Sequence, residues 1–153
     1  MTKFFQAFLT GIFFTFLLDF FIFLGIKHNY IDFYEIDLYY NILFADHQNI
    51  YIYAIVSLVI GFIITYINNV RFSLIVIGFL SILSLSTLVP TIGYSLGEML
   101  LMKKNVTFQD NKYTYIGDIY YDGRTKITFY DYELKKTIFL NKKDLIKWDI
   151  FQV

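Results

Sequence analysis

Two oily stretches decide how this chain is built: Phe4–Ile26, FFQAFLTGIFFTFLLDFFIFLGI, and Ile52–Asn68, IYAIVSLVIGFIITYIN. Each carries a small or polar residue at every fourth position. On the first these are Ala7, Gly11, Thr15 and Asp19; on the second, Ser57, Gly61, Thr65 and Asn69 just beyond it. Residues four apart share one face of an α-helix, so each stretch has a single narrow seam. Small residues let helix backbones approach closely, which predicts an antiparallel helical hairpin packed along the two seams. The expected register sets Asp19 opposite Ser57, Thr15 opposite Gly61, Gly11 opposite Thr65 and Ala7 opposite Asn69.

The first stretch is 23 residues long, about 35 Å as a helix and enough to cross a bilayer. No small-x-small cleavage site precedes Lys27–His28, so a retained span is expected rather than a signal peptide. The second is at the short limit for crossing. A third apolar run starts at Phe72 and is interrupted by Pro90. Phe72–Val89 is expected to cross, with Gly78, Ser81 and Ser84 forming a small-residue side. Thr91–Met102 is expected to be a kinked extension or a segment lying in the interface.

Composition agrees with a membrane part joined to a soluble part. Hydrophobic residues make up 57% of the 153, charged ones only 17%. Residues 1–102 carry three basic side chains against six acidic, and residues 103–153 ten against seven. The zero net charge is therefore a sum of −3 and +3, which argues against a strongly basic nucleic-acid binder. There is no cysteine, which excludes disulfides, thiolate metal sites and cysteine nucleophiles.

Residues 27–51 mix Lys27, Asp32, Glu35, Asp37 and Asp46 with many aromatic and aliphatic side chains. That mixture predicts a short amphipathic segment at the interface. His28, Asp32, Glu35, Asp46 and His47 invite a metal reading, but they lack any recognised ligand spacing, and HExxH is absent. No metal and no cofactor is expected.

Beyond residue 104 the sequence changes character. Lys112–Tyr121 is strand-like, Asp122–Gly123 is a hairpin signal whose type I′ turn needs positive φ, and Arg124–Tyr132 is strand-like again. A turn at Glu133–Lys135, a strand at Lys136–Leu140, a turn at Asn141–Asp144 and a last strand at Leu145–Phe151 complete the pattern. The expected fold is thus an α+β membrane protein. Three transmembrane helices, the third kinked or extended past Pro90, lead into a small antiparallel β-module, a curled sheet or small barrel. The division falls between residues 1–104 and 105–153.

No nucleophile–base constellation and no phosphate loop is present. Tyr113, Tyr115 and Tyr121 are expected on one face of the module and Tyr120 on the other. With Trp148 they form the expected docking surface, since exposed tyrosine is favoured at interfaces. The lysines from Lys135 to Lys147 read as a solvated surface balanced by nearby carboxylates, not a nucleic-acid site.

The function expected from these features is a non-enzymatic accessory or assembly subunit of a cell membrane, with a bacterial inner membrane as its setting. Its partners are the lipid bilayer and another membrane protein or a second copy. The alternative is a small transport or proton-coupled subunit using Asp19, with Thr15 and Ser57 as an intramembrane polar site. A membrane enzyme using His28 and His47 ranks below both. Lys and Arg leave the orientation almost balanced, and the N-terminal flank places the β-module on the extracytoplasmic side.

Overall fold

A computed structural model describes residues 2–67, 69–110, 113–145 and 147–150, the last four in backbone only. Asn68, Lys112 and Phe151, each at one end of an expected element, lie outside the described residues, as does the side chain of Trp148. The order of elements is α1 Thr2–Ile26, a π-turn Lys27–Ile31, α2 Tyr40–His47, α3 Ile50–Tyr66, α4 Val70–Ser86, α5 Pro90–Leu101, then β1 Lys103–Gln109, β2 Thr114–Asp122, β3 Lys126–Asp131, β4 Lys136–Asn141, a 3₁₀ turn and β5 Lys147–Ile150.

Helix α1 does not stop at Lys27. It continues through the π-turn, giving one apolar helix over Thr2–Ile31, long enough to cross a membrane. Among the described residues, three such helices are not present as continuous rods. At 17 residues apiece, α3 and α4 are each about 26 Å long, short of a hydrocarbon core of about 30 Å. They reach spanning length only if joined to α2 and α5 across bends of 86° and 84°. The bend after α4 has a clear cause. Val89 is extended and Pro90 occupies the first turn of α5, where its fixed φ and missing N–H suit a helix start and cannot continue the preceding one. Residues after Pro90 therefore form a helix of their own, set at 84° to α4.

Helix α1 is the hub, packing against α2, α3, α4 and α5. In contrast α3 and α4 scarcely meet, although Ser73 Oγ donates to Ile63 O (3.1 Å) beside their connection. Asn49 and Asn69 start α3 and α4 by accepting backbone N–H bonds from Tyr51 and Ile52, and from Phe72, which satisfies otherwise orphaned donors.

The segment expected at the interface also packs within the protein and supplies several of its buried residues. Asn29 Nδ2 donates to the carbonyls of Thr87 (3.0 Å) and Leu88 (3.3 Å), closing the end of α4. A Cβ on Gly93 would fall 2.2 Å from Thr87 O, and one on Gly97 would fall 2.4 Å from the Tyr30 side chain. These glycines, with Leu101, make the buried stripe of α5. Tyr30, Ile31 and Leu43 are fully enclosed there, in a cluster completed by Phe23, Ile26 and Tyr121. Of the polar residues that make 27–51 unlike a span, Lys27, Asn29, Asp32 and Asp46 bond within the protein, and Glu35 and Asp37 are exposed.

The strands form one antiparallel sheet ordered β4-β3-β2-β1-β5. It is open, not a closed barrel: β4 and β5 are edges. It begins at Lys103, inside the stretch assigned to the helical part. Its own core is Val106, Phe108, Ile119, Ile127 and Phe129, all without exposure. The hairpin after β2 exists but is not a two-residue type I′ turn. The loop is Gly123–Thr125, closed by Gly123 N–H donating to Lys126 O (3.1 Å), and Gly123 does not adopt positive φ. Glycine is needed there for space, because a Cβ would meet Lys126 O at 2.8 Å and the Tyr121 ring at 3.2 Å. Tertiary bonds set the loop's shape: Arg124 forks onto Asp46, and Lys142 N–H donates to Thr125 O (3.0 Å). The next turn, at Tyr132–Lys135, is held by Asp131 Oδ1, which accepts from Glu133 N and Leu134 N at 2.8 Å each.

Candidate functional site

The α1–α3 seam exists, but its register differs from the expected one. A Cβ on Gly61 would fall 2.0 Å from Ala7 O and 3.3 Å from Gly11 Cα. One on Gly11 would fall 1.8 Å from Ser57 O. Gly61 thus faces Ala7 and Gly11, not Thr15, and Gly11 faces Ser57, not Thr65. The slip is one to two helical turns. It brings both glycines to one crossing point, the closest approach two helices can make, whereas the expected register paired each glycine with a threonine. Ala7, Gly11, Thr15, Ser57 and Gly61 are buried at this seam, Thr65 is half-buried, and Asn69 is exposed as the cap of α4.

The same slip carries Asp19 away from Ser57 and to the corner between α2 and α3. Gln48 Nε2 donates to Asp19 Oδ2 at 2.8 Å. A cavity of about 210 Å³ opens here, lined by Thr15, Asp19, His47, Gln48, Asn49 and Tyr53 with Ile22, Phe23, Ile52 and Val56. Thr15 and Asp19, one helical turn apart, share it; Ser57 does not line it. Tyr53 Oη is directed elsewhere, donating to Ile12 O (3.0 Å), and His47 Nδ1 lies 3.2 Å from Leu43 O. Thr15 Oγ1 and Gln48 Oε1 are enclosed and have no hydrogen-bond partner among the described residues. No Lys or Arg among them reaches Asp19. The chemistry gathered at this corner is one carboxylate and buried neutral oxygens.

The structure gives the tyrosines of β2 a different place from the one expected. A bulge between Ile119 and Tyr121 in the β2–β3 ladder lets successive residues turn towards the helices. Tyr120 stacks on Tyr34 with ring centroids 3.8 Å apart, and its carbonyl accepts from Tyr30 Oη (2.9 Å). Tyr121 is buried beside Leu43. What Tyr120 and Tyr121 dock is the chain's own helical part. Burial pushes the Tyr34 hydroxyl well above its ordinary value, helped by its bond to Tyr94. Burial, with the Asp46 charge nearby, pushes Tyr121 up to about 12. Tyr113 is 63% exposed, and Tyr115, half-buried, donates to Asp110 (3.0 Å).

The remaining candidates are scattered. Lys27 pairs with Asp32, His28 lies 3.9 Å from the same carboxylate, and Asp46 of α2 is engaged by Arg124 of the loop between β2 and β3. Lys142 pairs with Asp122. The junction that sequence reasoning missed is signalled only by Asn29 and by Gly93 and Gly97 four apart. The missed partner of Asp19 is Gln48, an unremarkable loop residue in sequence. No family model, curated protein or solved structure matches this chain.

Proposed function

We propose that the chain is a non-enzymatic integral membrane subunit that holds a small β-module rigidly against the membrane face and assembles with a partner through its helices. The observation that carries this reading is the distribution of exposed apolar side chains. Ile55, Val59 and Phe62 on α3, and Ile75, Phe79 and Ile82 on α4, are more than half exposed. Monomeric soluble proteins rarely present contiguous apolar surfaces of that extent. Lipid and a neighbouring helix are their natural cover. Gly78 lies on α4 with nothing within 4 Å of where its Cβ would be, an opening suited to close approach by a helix of a partner or a second copy.

In this reading α1 crosses outward, and α3 and α4, a few ångströms shorter than the hydrocarbon core, return and cross again with local thinning of the bilayer. The π-turn, α5 and the sheet then lie together on the extracytoplasmic side of a cell membrane. Full-length chain extracted in mild detergent should retain a partner or self-associate, read by mass spectrometry and sedimentation. Gly78→Leu should release that association while leaving the helical content unchanged. A chain that stays soluble and monomeric in buffer without detergent would overturn the membrane reading. One that purifies alone from membranes would overturn the assembly role. Reporter fusions after Asn49, after Asn69 and at the C-terminus decide the orientation.

A further inference from the structure

We propose that the cavity at the corner of α1, α2 and α3 binds a monovalent alkali cation, sodium or potassium, on Asp19, Gln48 and Thr15. This goes beyond the assembly role and does not rest on it. Three observations meet at one place. Asp19 places a partly buried carboxyl at the cavity with no cationic side chain against it among the described residues, and its ionised form needs a counter-charge or strong hydrogen bonding there. Gln48 supplies only part of this, through Nε2 on Oδ2. Its own Oε1 and Thr15 Oγ1 are then left as enclosed oxygens without partners. Thr15 is 1% exposed, and a polar group so placed is costly unless something meets it.

The donor set defines the ligand. All three groups offer oxygen, which suits hard cations; the chain has no cysteine to favour a soft one. One carboxylate balances one positive charge, whereas calcium takes six to eight oxygens, usually with several carboxylates among them. His47 lines the cavity, but its Nδ1 faces Leu43 O. The cavity volume of about 210 Å³ leaves room for an ion and several waters to complete its shell, at about 30 Å³ per water.

The test uses full-length chain in detergent micelles, with thermal unfolding followed by circular dichroism. NaCl and KCl are titrated against choline chloride at constant ionic strength. A ligand that binds only the folded state raises the unfolding midpoint by mass action, so the midpoint should rise with sodium or potassium and not with choline. Asp19→Asn, which keeps an acceptor for Gln48, should abolish that response. Thr15→Val, of similar shape, should weaken it about tenfold in apparent affinity, the scale expected for one lost ligand of about 1.4 kcal/mol. Equal midpoints in all three salts for the wild-type chain would show a hydrated cavity only and overturn the proposal. So would an alkali-specific rise that survives unchanged in Asp19→Asn.

Discussion

At the scale of single residues, Gly61 and Gly78 show how little an amino-acid type says without its neighbours. Both are helical glycines. Glycine inside a helix costs about 1 kcal/mol relative to alanine. At Gly78 the added methyl enters open space, so Gly78→Ala should stabilise the isolated chain by up to about 1 kcal/mol. At Gly61 the methyl falls 2.0 Å from Ala7 O and the helices must part, so Gly61→Ala should destabilise by about 1–3 kcal/mol, the usual range for overpacking. Unfolding of the two variants in the same detergent checks the opposite signs.

Tyr121 gives a second test at this scale. Its hydroxyl is enclosed and lacks a partner among the described residues, and its pKa is raised from 10 to about 12. A folded-state value above the unfolded one leaves stability at its full level below pH 10 and lowers it as pH rises through about 12, because the enclosed hydroxyl resists ionising. Tyr121→Phe removes the hydroxyl altogether. It should leave neutral-pH stability unchanged or slightly higher and reduce the loss of stability between pH 10 and pH 12, measured by unfolding across that range.

At the scale of elements, apolar run length and four-residue spacing made α1 and the α1–α3 seam legible, because burial of a helical stripe is written into periodicity. The register was not legible. A repeat of four fits its partner equally well after a slide of one turn. What chose between slides was the crossing of Gly11 with Gly61 and the reach of Gln48 to Asp19, both tertiary. The strand pattern of β2, β3 and β4 was readable from alternation and turn residues. The shape of the Gly123–Thr125 loop was not, since Arg124 and Lys142 fix it through residues distant in sequence. Asn29 illustrates the same limit: nothing local shows that it closes the last turn of α4. Asn29→Ala should leave the Thr87 and Leu88 carbonyls without that donor. The expected loss is about 1–3 kcal/mol, seen as a lower unfolding midpoint with helix content preserved in the native state.

At the scale of the whole molecule, the division into an apolar half and a strand-forming half was plain in composition. Their union was not. The residues that make it are Tyr30, Tyr34 and Leu43, from the segment expected at the interface, and Tyr120 and Tyr121, from a strand expected to dock a partner. Replacing Tyr120 and Tyr121 together by alanine should loosen the sheet from the helices without unfolding the sheet's own core of Phe108 and Phe129. Limited proteolysis should then cut the chain near Met102 faster than it cuts the parent. The polar corner at Asp19 was legible as an oddity in sequence, and only the fold could supply Gln48 as its neighbour.

Only Met102 separates the end of α5 from the start of β1. A one-residue joint leaves little freedom between the direction of α5 and that of β1, so a tilt of α5 should carry the start of the sheet with it. Splicing a flexible Gly-Ser segment in at that position should remove the covalent constraint and leave the side-chain contacts of Tyr30, Tyr34 and Arg124 to hold the sheet by themselves.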